Sequence, residues 1–477
     1  MNDLKQQTTK SIIWNFMDKI GYQLIALLVG IFTVRLLTPE DFGYIGALAV
    51  FTALSTVLVE SGFTAALVRR KENTDREYTA AFIFNVILSI ILYLILFVSA
   101  KTIADYYKMP PLTDLAKVIF IAIILNSLTI IQTIILTKNL EFRKLTIANL
   151  SGMCVSAVIT LWMAATGWGY WAIAAQQISQ IVVKVILLWI FSSWRPVRIK
   201  LADFAIIREL LSFSSLLILS STISTIMKYV YNVFIGPRYT TDDLGYYSQA
   251  NKFHQIPYNV ISGSIVGVAY PVLTSLNDSN ERQRLYMHKI MRMIAFTIFP
   301  TMIGFIAISE NFVHVVLTDK WLPILPYFRI MLVGGMCIPF INYYINLFNV
   351  FGKPNLYFIT EFSRNALILI LLIILNNTIM QILYGYVIAC VSALITTMIL
   401  GRIYIKYSIT DFVRQIMPSL AMSVVMGLIV WYIPVWLSLP YWIELIIQIV
   451  AGIIIYFGIA RIFKIELVND LIKIIKG

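Results

Sequence analysis

The sequence predicts an all-α integral membrane protein of about fourteen transmembrane helices. Three observations carry this expectation: composition, the length of the apolar runs, and the placement of the basic residues. Hydrophobic residues make up 59% of the 477 and charged residues only 13%. Soluble domains have roughly 45–50% and about 25%, so a soluble fold of this size could not cover its surface. The apolar residues gather into fourteen runs, each long enough for a bilayer core, which takes ~20 mostly apolar residues as a helix.

In chain order the runs lie near 12–36, 42–66, 78–100, 112–137, 144–166, 168–191, 209–235, 243–275, 286–309, 324–350, 355–375, 379–405, 412–433 and 442–463. The first is too long for a signal-peptide core and lacks a small-residue cleavage pattern, so it is expected to be retained as a span. The longest connection on the outer side, near 101–111, has about a dozen residues. Fourteen spans place alternate connections on opposite sides. One side, with both termini, collects 26 of the 37 Lys and Arg, among them Lys10, Arg69, Arg70, Lys138, Arg195, Arg284 and Arg402; the other collects 6. Positive loops stay in the cytoplasm, so a multi-pass inner (plasma) membrane protein with both termini cytoplasmic is expected. One helix more or fewer would scramble the split.

The net charge of +13 does not point to nucleic acid. The basic residues are scattered over eight loops with no soluble domain to present them, and they suit anionic lipid headgroups. Cys154, Cys337 and Cys390 lie inside apolar runs with no metal-ligand spacing, so they are expected to be buried and inert. Trp168, Trp171, Trp431, Trp436 and Trp442 lie near expected interfaces, as an aromatic belt would. No metal or cofactor signature is present.

The chain repeats itself. "TPEDFGYIGAL" at 38–48 returns as "TTDDLGYYSQA" at 240–250, an offset of 202. Each copy enters a span from the outer side, with acidic residues where a helix N-terminus favours them. "KNLEF" (138–142) and "PNLYF" (354–358) suggest a second echo at an offset of 216. Six spans separate the copies both times, so the halves share an orientation, as in parallel transporter repeats that enclose a substrate path. The expected domains are 1–197 (spans 1–6), 198–408 (spans 7–12), and 409–477 with two added helices. The added helices carry few polar residues and are expected to face lipid or line a portal.

The long first helix, "VRLLTPEDFGYIGAL", "ESGFTAALVRRKE" and "LGYYSQANKF" together resemble the Wzx-type polysaccharide flippases of the multidrug/oligosaccharidyl-lipid/polysaccharide (MOP) exporter superfamily. The resemblance covers essentially the whole chain. It implies a monomer near the polysaccharide polymerase and chain-length machinery. It also implies a V-shaped transporter that carries an undecaprenyl-pyrophosphate-linked oligosaccharide to the outer leaflet.

Five basic residues escape the loop count: Lys19, Lys184, Lys228, Lys252 and Arg329. Ionisable groups at membrane depth are costly and normally face a cavity. Ser248, Lys252, Gln255, Asn259 and Ser262 recur at spacings of 4, 3, 4 and 3, which is one stripe of a helix. Lipid could not surround such a stripe. Ser214, Ser221, Thr225, Lys228 and Asn232 form a similar arc in span 7. Lys19 and Tyr22 share a face of span 1 with Asp18 beside them. Inward-facing cations would form a ladder suited to pyrophosphate, with tyrosines and amides for sugars, and the second lobe is expected to make most headgroup contacts. Plainer readings stand beside this one. Lys184 can snorkel to headgroups, Lys19 can pair with Asp18 or Glu60, and Arg329 can be interfacial. His254 points away from the stripe and reads as a packed histidine; His288 and His314 read as span-boundary residues.

An enzyme is disfavoured, since no Walker A, HExxH or CxxC pattern occurs and no large extramembrane loop exists. A multidrug/cation antiporter would favour buried carboxylates, and only Asp18, Glu60 and Glu361 are candidates. A lipid II flippase of the same superfamily remains open. Without a nucleotide motif, the drive is a coupling ion (proton or sodium), the membrane potential, or consumption of product; the sequence does not choose.

Overall fold

The computed structural model describes residues 2–60, 63–70, 72–200, 205–263, 272–273 and 280–463. Among them it is helical, without strands. The elements in order are α1 (Asn2–Leu36), α2 (Pro39–Glu60), α3 (Phe63–Arg69), α4 (Asp75–Tyr107), α5 (Leu112–Ile119), α6 (Ile121–Lys138), α7 (Phe142–Ala165), α8 (Tyr170–Phe191), α9 (Ala205–Ile235) and α10 (Thr241–Ile261). They continue with α11 (Asn280–Phe312), α12 (Leu325–Gly335), α13 (Ile338–Val350), α14 (Asn355–Ile374), α15 (Ile379–Leu400), α16 (Ile409–Leu437) and α17 (Tyr441–Ile462).

Twelve segments are long and apolar enough to cross a membrane. Counting the bent α9 as one span gives thirteen among the described residues, near the fourteen expected. α9 is bent by 54°, and α10 carries the polar stripe that keeps it from passing as apolar. The connection near 101–111 is shorter than the sequence suggests. α4 runs on to Tyr107, and Lys108 closes it in the left-handed conformation (φ 58°). The polar side chains of "AKTIADYYK" end the apolar run but not the helix.

Helix starts follow local chemistry. At α4, Thr74 accepts from the Glu77 N–H (3.3 Å) while Glu77 accepts from the Thr74 N–H (2.8 Å), a capping box. The same device opens both copies of the repeated turn. Asp41 Oδ2 accepts from the Thr38 N–H and hydroxyl, both at 2.8 Å. Asp243 Oδ2 accepts from the Thr240 N–H at 3.2 Å and hydroxyl at 2.7 Å. The return bonds, Asp41 N to Thr38 Oγ1 and Asp243 N to Thr240 Oγ1, measure 3.3 and 3.1 Å. The two turns also touch. A Cβ on Gly43 would collide with the Thr241 carbonyl oxygen, and a Cβ on Gly245 with the Pro39 carbonyl oxygen. Pro39 and Thr241 are equivalent at the same offset, so the contact is reciprocal. Burial raises the Asp242 carboxyl above its ordinary value, and the Glu40 and Asp243 carboxylates add to the shift.

The second echo does not hold in the backbone. Leu140 takes a left-handed turn (φ 57°) ahead of α7, whereas Leu356 lies inside the first turn of α14 and is buried. The matching helix starts are Phe142 and Asn355. The Asn-Leu pair recurs by letter, in a loop the first time and in a helix the second.

The chain divides into two compact units, Met1–Gly245 and Tyr246–Gly477. In the first, α7 packs on α8 and α1, α4 on α6, and α2 on α9; α9 therefore packs with helices of the first half. In the second, α11 packs on α12, α16 and α17, and α15 on α12 and α14. The last two helices are less purely apolar than the sequence suggests. Asn311 of α11 donates to Glu444 (3.1 Å) and Gln448 (3.0 Å) of α17, and Gln448 donates to the Val430 carbonyl of α16 (3.0 Å). All three polar side chains are buried, so satisfied hydrogen bonds fasten α16 and α17 to α11 where lipid could not bond them.

Candidate functional site

The first unit contains a cavity of about 580 Å³ lined by Asp18, Lys19, Tyr22, Gln23, Asn126, Asn149, Gln180, Ile181 and Lys184. Four helices build it: α1, α6, α7 and α8. Its sequence-predicted members are Lys19, Tyr22 and Lys184, which the fold brings together from positions 165 residues apart. Asn149 donates to Asp18 Oδ2 at 3.0 Å, leaving Asp18 Oδ1 buried without a hydrogen-bond partner. Gln180 donates to the Tyr22 hydroxyl at 3.3 Å. Asn126 donates to Glu60 at 3.4 Å. Lys19 makes no ion pair with Asp18 or Glu60, and Lys184 makes no ion pair or hydrogen bond among the described residues. Asp18 is held by an amide instead of an ammonium, so both amines remain available to the cavity.

In the second unit the stripe of α10 has the geometry its spacing requires. Lys252 and Asn259 are exposed, and Ser248 and Gln255 half-buried. Gln255 donates to Asn251 Oδ1 at 2.8 Å, and Ser262 accepts from Asn342 at 3.3 Å. The helix is packed away from the stripe: Tyr247, Ala250 and Pro257 are buried. His254 is likewise packed. It is 1% exposed, its Nε2 lies 3.2 Å from the Tyr386 hydroxyl, and its ring meets Tyr258 edge-on. It is a packed histidine, as its position off the stripe predicts.

The other predicted site residues lie elsewhere. On α9, Asn232 is buried and donates to the Gly46 carbonyl at 3.1 Å, fastening α9 to α2. Lys228 is exposed, with its ammonium 5.6 Å from the Tyr229 ring centroid. Arg329 of α12 donates to Ser309 (2.7 Å), lies 3.6 Å from Glu310, and stacks 4.5 Å over Trp431. Its guanidinium is thus gripped from α11 and α16. Between α11, α16 and α17 runs an apolar groove of about 520 Å³, lined by Phe296, Pro300, Phe305, Val430, Ile453 and Tyr456 among others.

Sequence reasoning missed Gln23, Asn126, Asn149 and Gln180. Asn149 is the one amide of its helix and Asn126 has only Gln132 on its own, so their sequence signal is that an amide inside a span needs a partner. Gln180 carried a stronger signal, since Gln177, Gln180 and Lys184 recur at helical spacing along α8.

Known proteins resemble this chain along its length. The family described as "Polysaccharide biosynthesis protein" matches residues 32–326. The Teichuronic acid biosynthesis protein TuaB of Bacillus subtilis (strain 168) is 22% identical, over 96% of this chain and 95% of that one. The Lipopolysaccharide biosynthesis protein WzxC of Escherichia coli (strain K12) is 24% identical over 70% of this chain and 68% of that one. Among solved structures, the lipid II flippase MurJ in an inward closed conformation superposes with a TM-score of 0.72 at 16% identity, covering 95% of this chain and 100% of that one. An inward-facing multidrug resistance MATE transporter of the MOP superfamily gives 0.62 at 17%, covering 83% and 98%. The fold is therefore shared with these transporters, and the chain belongs to the family described as "Polysaccharide biosynthesis protein".

Proposed function

We propose that this protein moves undecaprenyl-pyrophosphate-linked oligosaccharide repeat units across the bacterial inner membrane by alternating access, for surface polysaccharide synthesis. One observation carries this reading. Lys19, Lys184 and Lys252, all within membrane-spanning helices, have no ion-pair partner among the described residues and stand among amides and tyrosines. An unpaired ammonium at membrane depth is expensive. A doubly charged pyrophosphate offsets that cost through charge-assisted hydrogen bonds. Amides and Tyr22 then serve the sugar hydroxyls, which would be desolvated at large cost in hydrocarbon. The apolar groove between α11, α16 and α17 suits a polyprenyl chain. Arg329, Lys228, Ser248, Gln255 and Asn259 complete the proposed contacts, and the basic connections are taken as cytoplasmic.

The test is a deletion strain analysed for lipids. One lipid-linked oligosaccharide should accumulate on the cytoplasmic leaflet and disappear when the gene is returned. Loss of surface polysaccharide with no accumulated lipid-linked intermediate would overturn the reading.

A further inference from the structure

The middle of α14 carries an ion pair inside a membrane-spanning helix. Arg364 Nη2 lies 2.6 Å from Glu361 Oε2, and Arg364 stands about 14 Å along the helix from Asn355, at ~1.5 Å per residue. Tyr357, Glu361, Arg364 and Ile368 follow at spacings of 4, 3 and 4, which is one stripe of a helix. The lipid-facing stripe is a different one: Phe358, Phe362, Leu369 and Ile373 are exposed and wholly apolar. The pair therefore faces away from acyl chains, which could not bond it. Arg364 is within electrostatic reach of the Tyr258 hydroxyl of α10, next to Asn259 of the polar stripe.

The pair is neither sealed nor fully satisfied. The Arg364 and Glu361 side chains are 27% and 23% exposed. A guanidinium has several N–H donors, and Glu361 is the one acceptor that Arg364 has among the described residues. Glu361 Oε1 has no donor there. An ion pair held away from water is often no better for stability than apolar side chains of similar volume, so stability alone gives no reason to keep it.

The arrangement sets a condition on any anion that approaches. A monoanion offers Arg364 only what Glu361 already supplies, and Glu361 is tethered one turn away at a high effective concentration. Exchange gains nothing. A pyrophosphate brings two charges and more acceptor oxygens. Coulomb attraction scales with charge, so a pyrophosphate can take Arg364 and still hold an ammonium of the α10 stripe. We propose that Arg364 is a masked anion-binding residue and Glu361 its built-in competitor: a pyrophosphate headgroup recruits Arg364, and the monoanionic phosphodiester of ordinary membrane lipid does not. The identity of the cargo rests on the flippase reading above; the discrimination between headgroups belongs to the pair itself.

The test uses the full chain in phosphatidylcholine nanodiscs, titrated by calorimetry with farnesyl pyrophosphate and with dihexanoyl phosphatidylglycerol. The wild type should prefer farnesyl pyrophosphate. Arg364→Gln should weaken that binding at least tenfold and leave phosphatidylglycerol binding unchanged. Glu361→Gln should strengthen phosphatidylglycerol binding at least tenfold, so that the preference narrows. The double variant Glu361→Gln/Arg364→Gln removes both charges and leaves neither partner unpaired. It should bind farnesyl pyrophosphate as weakly as Arg364→Gln does, and it decides the matter if a single variant fails to fold. Three results would overturn the proposal. One is a wild type without preference. The second is wild-type affinity for farnesyl pyrophosphate in Arg364→Gln or in the double variant. The third is a folded Glu361→Gln with no gain for phosphatidylglycerol. Failure of the flippase reading shows separately, as a deletion strain that accumulates no lipid-linked glycan while the headgroup preference persists.

Discussion

The two units make polar surface in opposite ways. In the second, Ser248, Lys252, Gln255 and Asn259 follow one another along a single helix. In the first, Asp18, Tyr22, Asn126, Asn149, Gln180 and Lys184 arrive from four helices and meet only when these pack. One arrangement survives loss of neighbouring contacts, because the helix alone sets its spacing. The other depends on tertiary structure. This contrast predicts that variants in the two places fail differently.

The largest effect is expected at Lys252. Lys252→Gln should lower export at least tenfold while membrane insertion and thermal stability stay at the wild-type level. Normal surface polysaccharide in that variant would remove the α10 stripe from the proposed site. Next comes Lys184→Gln, which should reduce export several-fold. Unaltered export there would mean the four-helix cavity is structural. A third comparison uses the two glycines of the repeated turn. Gly43→Ala and Gly245→Ala each drive a methyl into the opposite copy's backbone. Overpacking typically costs 1–3 kcal/mol, so each should lower the thermal midpoint, and by similar amounts. A loss at one position only would show that the contact is not reciprocal in the working protein.

The smallest effect is expected at Asp242. Burial and neighbouring carboxylates raise its carboxyl, so the folded state favours the protonated form. The stabilisation is present at acid pH and is lost as pH rises through the raised value. Asp242→Asn should therefore raise the thermal midpoint slightly at pH 7, and the gap should close as pH falls through the raised value and the wild-type carboxyl protonates. A gap that widens on acidification would reverse the sign assigned to this group.

The same contrast explains what could be read from sequence. Hydropathy was enough for the membrane fold and an approximate helix count, because lipid imposes an apolar run on every span. The α10 stripe was legible because a helix converts spacing into direction. Asn126 and Asn149 carry no such period; Gln180 shares one with Gln177 and Lys184, but the meeting point of all of them depends on packing of α1, α6, α7 and α8. The paired letters at 138–142 and 354–358 misled for a related reason. Leu140 and Leu356 share a neighbour in sequence but not a backbone conformation, and a five-letter match cannot tell a turn from a helix start. The 38–48 match succeeded because Thr, Asp and Gly there each have a stated bond or contact, and the same ones in both copies.

That contact bears on how the two copies of the turn can change. Each glycine is hemmed in by main chain contributed by its sibling turn, so a larger residue arising in either is penalised by the other. The siblings are yoked together: drift that was free to rewrite "IGALAV" into "YSQANK" a few residues on could not touch Gly43 or Gly245 without injuring both halves at once.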